Sequence, residues 1–475
     1  MKKQKLTKNN SKTSSSEQIS KQNWLILASL MLGVFLGALD ISIVSPAFSN
    51  IAKELNIEAS YLSWIITLYT LVYVLAVPLM SSISDKYGRK NTILINISLF
   101  GLGSLFAVFS QDLSHLLIAR GIQALGAGGL FPIASTVIGE VFPKARRGMA
   151  LGFIGMVWGV AAIIGPLIGG WLTQWFGWTS IFYVSFFLSF VVIFFIWKFL
   201  PKSKAVHNHP FDWIGMIILG IALLTLTYAL NNLDGNNLIS GILNTNEKYY
   251  FMISIMAFIV FFEYEKRPKA PIIATHIFNK RELNIALMLS FARGMTEAGL
   301  AFLPFYAMVA LNIKAGPAGT LIITTAITMF LFTQPAGMLV DKIGPKVVLI
   351  FGAIVTTIGA ALMMSANTMM EFIVYQVILG LGLSAMSGAP IRYIVLHETN
   401  EKEKSSAQGL VSLVSSFGIM VGSALAGSFL ASSNVGEYPS LGAFQNIYLS
   451  VVLSSILALI FTMALKKTKS LTNEI

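Results

Sequence analysis

Long apolar runs recur along almost the whole chain, and within each run the hydrophobic residues do not alternate with polar ones. The hydrocarbon core of a membrane takes about twenty residues of helix to cross. Lipid offers backbone N–H and C=O groups no partner, so such a run must cross as a helix, and the missing alternation excludes an outer-membrane barrel. The sequence predicts fourteen crossings, near residues 24–45, 61–81, 92–110, 113–138, 149–172, 179–199, 213–230, 249–264, 283–309, 318–338, 347–364, 372–395, 407–431 and 445–465.

The composition agrees with a chain that lies mostly in lipid. Of its 475 residues, 55% are hydrophobic and 11% are charged, whereas a soluble domain carries roughly 25% charged residues. The chain has no cysteine, which excludes disulfides and thiolate metal sites, and its five histidines are scattered. We therefore expect no metal, no cofactor and no enzyme activity, and no loop is long enough for the soluble domain of a receptor.

The basic residues are distributed unevenly between the predicted loops. With the amino terminus inside, 27 of the 33 lysines and arginines fall in cytoplasmic tails and loops, and only Lys53, Lys248 and Lys314 fall outside. Positive charge marks the cytoplasmic side of a membrane protein. The pattern predicts a multi-pass protein of the cell (inner, cytoplasmic) membrane with both termini in the cytoplasm. The net charge of +12 is assigned to that side rather than to nucleic-acid binding.

An internal repeat divides the chain into two related halves. Segment 81–90 follows the second predicted span, and segment 337–346 follows the tenth at an offset of 256 residues. The same offset places Asp40 beside Glu297 and Pro46 beside Pro304 to within about two residues. The predicted organisation is a disordered cytoplasmic tail, an N-terminal six-helix bundle, two inserted helices with a cytoplasmic linker, a C-terminal six-helix bundle and a second tail, at 1–23, 24–200, 201–281, 282–467 and 468–475.

Four segments resemble the motifs of one transporter family, the fourteen-helix drug:proton antiporter branch of the major facilitator superfamily. Segments 39–44, 85–90 and 120–123 resemble its first-helix, loop and fourth-helix motifs. The resemblance implies an all-α major facilitator fold, with two six-helix bundles, two additional central helices and a substrate site between the halves. It also implies a monomer that exchanges small molecules for protons. The fifth span resembles the antiporter motif of that branch through Gly155, Gly159, Gly165, Pro166, Gly169 and Gly170.

The repeated loop motif is interpreted as a gate on the cytoplasmic side. A carboxylate among several cations cannot be buried alone, so the loop should lock against a neighbouring helix end. Such a lock can hold one access state shut and release it in the other. A solvated turn that only sets topology is the alternative, and the repetition argues against it. The predicted gating residues are Asp85, Gly88, Arg89, Lys90, Asp341, Gly344 and Lys346.

Few ionisable residues fall inside the predicted spans, and at membrane depth they usually mark substrate or proton pathways. Asp40 in the first span and Arg120 in the fourth both belong to the outer half of the membrane, so they can pair if their helices touch. Arg293 and Glu297 lie four residues apart on one face of the ninth span and can pair within it. These two sets are the predicted proton-coupling residues, with purely structural ion pairs as the alternative.

Four further residues are candidates for the substrate pocket. Trp64, Tyr69 and Trp158 lie in spans expected to line it, where aromatic faces can stack on a flat or cationic molecule. Packing explains these aromatic residues equally well. Arg392 in the twelfth span is the fourth candidate, and snorkelling to the membrane surface is its alternative. The fifth-span glycines provide a smooth helix face, suited to a moving seam with the other half or simply to close packing.

Transport energy is expected to come from an ion gradient, because the chain has no phosphate-binding Gly-x-x-x-x-Gly-Lys-Ser/Thr loop. Carboxylates at membrane depth suit protons. The predicted function is export of small amphipathic or cationic compounds, such as drugs, dyes and antiseptics, in exchange for protons by alternating access. Two alternatives stay open: flipping of a lipid or glycolipid, with membrane lipids as partners, and proton-coupled uptake, against which the fifth-span motif counts.

Overall fold

The computed structural model describes most of the chain as helix. The predicted tails lie outside the described residues, except that the first helix already begins at Lys21. The side chain of Ser20 caps this helix by accepting a hydrogen bond from Asn23 N at 3.1 Å. The described residues are 20–58, 61–142, 147–202, 212–233, 235, 242, 246–267, 272, 278–386, 389–399, 404–432, 434–435 and 438–466.

Eight helices build the first half, and short interruptions divide two of its crossings. A 3-10 turn over Ser45–Ala47 follows the first helix, and Gly129 separates the fifth helix from the sixth. Lys21–Glu54 and Leu113–Val141 are nevertheless each a single membrane-crossing length. The helices are α1 (Lys21–Ile43), α2 (Phe48–Glu54), α3 (Leu62–Tyr87), α4 (Arg89–Val108), α5 (Leu113–Gly128), α6 (Leu130–Val141), α7 (Arg147–Phe176) and α8 (Ser180–Phe199).

Two inserted helices and a second set of eight follow. The inserted pair is α9 (Trp213–Asn231) and α10 (Glu247–Tyr264). Two-residue strands β1 (Asn434–Val435) and β2 (Tyr438–Pro439) pair antiparallel in the last loop. The second half consists of α11 (Arg281–Ala301), α12 (Leu303–Leu311), α13 (Ala315–Ile343), α14 (Pro345–Met363), α15 (Met369–Met386), α16 (Ala389–Glu398), α17 (Lys404–Ala431) and α18 (Leu441–Ala464).

The described helices fit the predicted membrane architecture. They form twelve stretches long and apolar enough to cross a membrane, three of which contain two consecutive helices each, and the pair α11 and α12, bent by 43°, makes a thirteenth crossing. The remaining helix, α10, has 18 residues and carries Glu247, Lys248 and Glu263 near its ends. With α10 included, the described helices accommodate the predicted fourteen spans, and the all-α polytopic fold class is confirmed.

The two halves repeat each other in detail. The first crossing of each half is broken at the same place, with Pro46 in the turn after α1 and Pro304 at the start of α12. In each half a glycine of the fourth membrane crossing lies directly against the third crossing, on α5 against α4 in the first half and on α15 against α14 in the second. A Cβ on Gly126 would lie 2.4 Å from Asn96 O, and one on Gly382 would lie 2.3 Å from Thr356 N. The repeat seen in the sequence is thus a repeat of helix packing.

The halves meet along two seams, α3 against α17 and α7 against α13. At one end of the bundle, hereafter the closed end, a single apolar cluster contains residues of both halves. There the rings of Phe48 and Phe302 lie 6.0 Å apart, and a Cβ on Gly319 would lie 3.1 Å from Pro46. The loops of Asp85 and Asp341 lie at the other end, hereafter the basic end. The hydrogen bonds described there between residues of different helices each join two residues of the same half. The structure is therefore sealed at the closed end.

Candidate functional site

A buried ion pair joins the first and fourth crossings of the N-terminal half. Arg120 Nη1 on α5 lies 2.5 Å from Asp40 Oδ2 on α1, and both side chains are almost fully buried, with exposed fractions of 2% and 0%. Arg120 also donates to Gln123 Oε1 at 2.8 Å. Gln123 Nε2 in turn donates to Asp40 Oδ1 at 3.1 Å and to Ser104 Oγ at 2.8 Å. The carboxylate is thus paired and hydrogen-bonded, as a charge in a dry interior must be.

Tyr69 covers this ion pair instead of lining a pocket. The guanidinium carbon of Arg120 lies 4.2 Å from the centroid of the Tyr69 ring. Tyr69 is buried and stacks on Tyr73 at 6.4 Å between ring centroids. A cation held over an aromatic face is stabilised by the ring quadrupole. The aromatic contact predicted for a substrate is therefore made to Arg120 in this conformation.

The second half carries an ion pair of different design at the matching place. Arg293 Nη2 lies 2.8 Å from Glu297 Oε2 one helical turn further along α11, and Arg293 Nη1 donates to Ser415 Oγ on α17 at 3.1 Å. These side chains keep 23% and 31% of their surface exposed. Both predicted pairs therefore form, but only the second is accessible in this conformation.

Arg392 belongs to the same region of the C-terminal half. It lies on α16, which packs against α11, and its side chain is exposed. Its charge lies within electrostatic range of Arg293. Two cations and the Glu297 carboxylate thus occupy one region of the second half.

A small pocket opens in the N-terminal half close to the buried ion pair. Trp158 lines this pocket and Trp64 does not, and their contact with substrate stays a prediction. Trp64 instead packs on the inserted helices, with its ring 6.5 Å from that of Tyr228. The lining is apolar and aromatic throughout and comprises Val34, Gly37, Ala38, Ile41, Tyr73, Ala127, Leu130, Phe131 and Trp158. In this conformation the pocket is too small for a drug-sized molecule, but its rings offer aromatic faces to an apolar or cationic group.

The loop motif forms a compact cluster at the basic end. Arg89 pairs with Asp85 and, through Nε, with Glu140 Oε1 at 3.2 Å, and it also donates to Ser84 Oγ at 3.1 Å. Arg89 thus contacts the end of α6 in the same half, whereas a gating function for this contact stays a prediction. Gly88 adopts a φ of 91°, which favours glycine and allows α4 to start directly after α3.

The repeated loop has the same turn but lacks the arginine. Gly344 has a φ of 84°, and Pro345 follows where the first half has Arg89. Lys90 Nζ donates to Trp197 O at 2.5 Å, and Lys346 Nζ donates to Met463 O at 2.8 Å, so each lysine ties its loop to the last helix of its half. The side chain of Asp341 lies outside the described part of the chain. Both loops are thus hydrogen-bonded within their own half, and their predicted gating function stays a prediction.

The fifth-span glycines serve two different contacts. A Cβ on Gly165 would lie 1.9 Å from Ser42 Oγ, and one on Gly169 would lie 2.2 Å from Ile43 O, so these glycines face α1 of their own half. Gly159 faces Phe330 of α13, and Pro166 O lies close to Gly319 of the same helix. The glycine face is therefore divided between packing within the half and the seam between halves. Gly170 is buried, and the surroundings of Gly155 are outside the described contacts.

Gly169→Ala tests the contact of α7 with α1. Because the methyl group would meet backbone rather than a flexible side chain, we expect a loss of about 1–3 kcal/mol of stability, as for other overpacked sites. Gly139→Ala on α6 is the matched control, since a Cβ there meets nothing within 4 Å. Thermal unfolding in detergent measures both. Equal melting temperatures for the two variants would contradict the described packing.

A repeated bundle of membrane-crossing helices, with ion pairs at depth and an apolar pocket beside them, defines a multi-span membrane transporter. The chain belongs to the Major Facilitator Superfamily, whose family model matches residues 30–265 and 283–474. Members of this family are membrane transporters of small molecules, not enzymes. The described geometry and the family match therefore agree.

Similar proteins cover nearly the whole chain. The uncharacterized MFS-type transporter YfiU of Bacillus subtilis is 34% identical over 86% of this chain and 80% of that protein. Multidrug resistance protein 3 of Bacillus subtilis is 27% identical over 88% of this chain and 81% of that protein. Among solved structures, a mutant of the nucleoside transporter NupG has a TM-score of 0.67 at 13% identity, covering 93% of this chain and 100% of that one. This last likeness concerns the fold alone.

Sequence reasoning missed several residues that contact the predicted ones. Gln123 and Ser104 complete the hydrogen bonding of Asp40, and Tyr73 and Phe131 line the pocket beside Trp158. Gln123 belongs to the 120–123 motif but was not named as a site residue, although it lies three residues after Arg120 and therefore on the same helix face. Tyr73 had the same signal, since it follows Tyr69 by one turn. Ser104 and Phe131 had none, because their contacts depend on tertiary packing.

Proposed function

We propose that this chain is a proton-driven exporter of small amphipathic or cationic compounds that works by alternating access. The observation that carries the proposal is the partly exposed Arg293–Glu297 pair at membrane depth. A carboxylate in that position can bind either a proton or a cationic group. Similarity to the multidrug resistance protein supports the substrate class.

The coupling follows from competition for one carboxylate. A cationic substrate and a proton cannot both neutralise Glu297, and either one releases Arg293 from it. Substrate binding therefore expels a proton, and protonation from the other side of the membrane expels substrate. Asp40 and Arg120 form the second proposed coupling pair, which is reached only when the N-terminal half rearranges, because both are sealed in this conformation.

The apolar pocket supplies the site for the hydrophobic part of a substrate. Its lining offers the rings of Tyr73, Phe131 and Trp158 and no charged group. Aromatic faces attract flat molecules and cations without demanding one hydrogen-bonding pattern. Such a lining favours a broad range of substrates, such as drugs and dyes.

The proposal is tested by reconstituting the purified chain in vesicles with an imposed pH gradient. A cationic dye, a neutral dye and a fluorescent phospholipid are offered separately. We expect the cationic dye to move in the direction opposite to that of the protons. Its transport should stop when a protonophore collapses the pH gradient. Phospholipid movement without dye movement would instead identify a flippase, and dye movement in the same direction as protons would identify uptake.

Trp158→Ala should weaken binding of a flat cationic dye. Loss of one aromatic face costs about 1 kcal/mol, which is about a fivefold rise in Kd. Trp64→Ala is the matched control, because that ring packs on Tyr228 outside the pocket. Dye fluorescence titration in detergent compares the two variants. An equal rise in Kd for both variants, or none for Trp158→Ala, would remove the pocket from the binding site.

A further inference from the structure

The inserted helix α9 ends inside one of the seams between the two halves. Its last residue, Asn231, accepts a hydrogen bond at Oδ1 from Ser63 Oγ at the start of α3, over 2.8 Å. Asn231 Nδ2 donates to Thr227 O within α9 at 3.0 Å, so the amide is held in one orientation. Ser63 and Asn231 are both buried. A polar contact in such surroundings is well defined, since neither partner can turn to water.

A helix of the other half closes over the same contact. A Cβ on Gly427 of α17 would lie 2.1 Å from Ser63 Oγ and 2.7 Å from Asn231 Oδ1. Three helices from the N-terminal half, the insertion and the C-terminal half thus meet at one point of the closed end. Only glycine leaves room for that meeting.

Further bonds near this point attach α9 to the C-terminal half. Thr227 Oγ1 contacts Met420 Sδ at 3.3 Å, and the backbone N of Gly235, just after α9, donates to Ser432 Oγ at 2.5 Å. A Cβ on Gly235 would lie 2.6 Å from Ser428 O. The end of α9 is therefore fastened to α17 at several points, whereas its described hydrogen bond to α3 is the one from Ser63.

We propose that the end of α9 is a latch that holds the closed end shut through the hydrogen bond from Ser63 of α3 to Asn231 of α9. The proposal rests on the alternating access stated above, because opening at the closed end must part α3 from α17. Since α9 is fastened to α17, it moves with the C-terminal half, and the Ser63–Asn231 bond has to break. The end of α9 thus biases the access equilibrium toward the state sealed at this end.

The experiment reads the conformation directly and needs no substrate. The chain has no cysteine, so Lys53→Cys and Lys314→Cys place spin labels on exposed sites of α2 and of the turn before α13, one in each half at the closed end. Pulsed electron paramagnetic resonance in nanodiscs then gives the populations of short and long distances. Asn231→Ala should raise the ratio of long to short distances about fivefold, the equivalent of a buried hydrogen bond of about 1 kcal/mol. Asn232→Ala is the matched control, since its described side-chain bond is to Tyr228 O of its own helix at 2.9 Å.

Two further variants keep the outcome decisive. Ser63→Ala should shift the distances in the same direction as Asn231→Ala, and the double variant should shift them less than the sum of the two, because both single variants remove the shared Ser63–Asn231 bond. Distances in Asn231→Ala and Ser63→Ala that match the parent, or shifts that add in the double variant, would overturn the latch. Failure of proton-coupled dye transport would leave these distances unaffected and so is a separate result.

Discussion

Asp40→Ala should cost about 3–5 kcal/mol of stability, the largest effect expected of any single substitution in this chain. The change removes the only described carboxylate in contact with Arg120, whose side chain is 2% exposed. Arginine cannot lose its proton in a protein, so the charge stays and is uncompensated. Tyr69 and Gln123 keep their contacts with Arg120 but carry no negative charge. We therefore expect a lower melting temperature in detergent and lower yield from membranes.

The repeat supplies a matched control for this prediction. Glu297→Ala removes the corresponding carboxylate of the second half, but Arg293 there is partly exposed and keeps Ser415 as a partner. Exposed ion pairs contribute about 0–1 kcal/mol, so this variant should unfold close to the parent temperature. The double variant Asp40→Ala with Arg120→Met should recover much of the lost stability, because apolar side chains often replace a buried ion pair without cost. Equal destabilisation by Asp40→Ala and Glu297→Ala would contradict the difference in burial.

Local sequence signals predicted most of the fold for physical reasons. In lipid the backbone has no alternative to the helix, so each apolar run indicates its own crossing. The repeat at Asp85 and Asp341 also indicated two matching halves, and both turns have the same positive φ at glycine. What could not be predicted is where a helix end meets a different element. Residues 20–23, assigned to the tail, include the cap and start of α1 because Ser20 offers an oxygen to the first turn.

The candidate site was predictable only where two partners share one helix or one motif. Arg293 and Glu297 are one turn apart, so their pairing needs no knowledge of packing. Asp40 and Arg120 are 80 residues apart, and their pairing was expected only on condition that α1 and α5 touch. Trp64 was placed in the pocket because of its span, but rotation of α3 points it at α9. The face that a membrane helix presents to its neighbours is poorly marked when all its faces are apolar.

Glu297→Gln should abolish uphill, pH-driven transport while leaving the protein folded and able to bind substrate. The amide keeps the size of the side chain and an oxygen that can accept from Arg293, so the local structure should persist. It cannot bind a proton, so substrate binding no longer expels one. Downhill exchange of substrate should continue, because the access change itself does not depend on the carboxylate in this scheme. A loss of at least about tenfold in gradient-driven accumulation is expected, corresponding to about 1.4 kcal/mol of lost coupling.

Two measurements separate coupling from binding. Substrate added to the parent protein in weakly buffered detergent should release protons, and Glu297→Gln should release fewer. Vesicle transport under a pH gradient then measures the pumping of the same samples. Asp40→Asn is assayed in parallel, since Asp40 is the second proposed coupling site and the amide keeps one oxygen that can accept from Arg120 or Gln123.

The accessibility of the two carboxylates decides what each outcome means. Glu297 is 31% exposed in the conformation sealed at the closed end, whereas Asp40 is fully buried, so substrate arriving in this state can reach Glu297 directly but not Asp40. If Glu297→Gln alone loses proton release, Glu297 is the coupling site and the Asp40 network is structural. If only Asp40→Asn loses it, coupling depends on a rearrangement that opens the N-terminal half. If both single variants and the double variant still release protons and pump uphill like the parent, both carboxylates are structural and the coupling assignment is wrong.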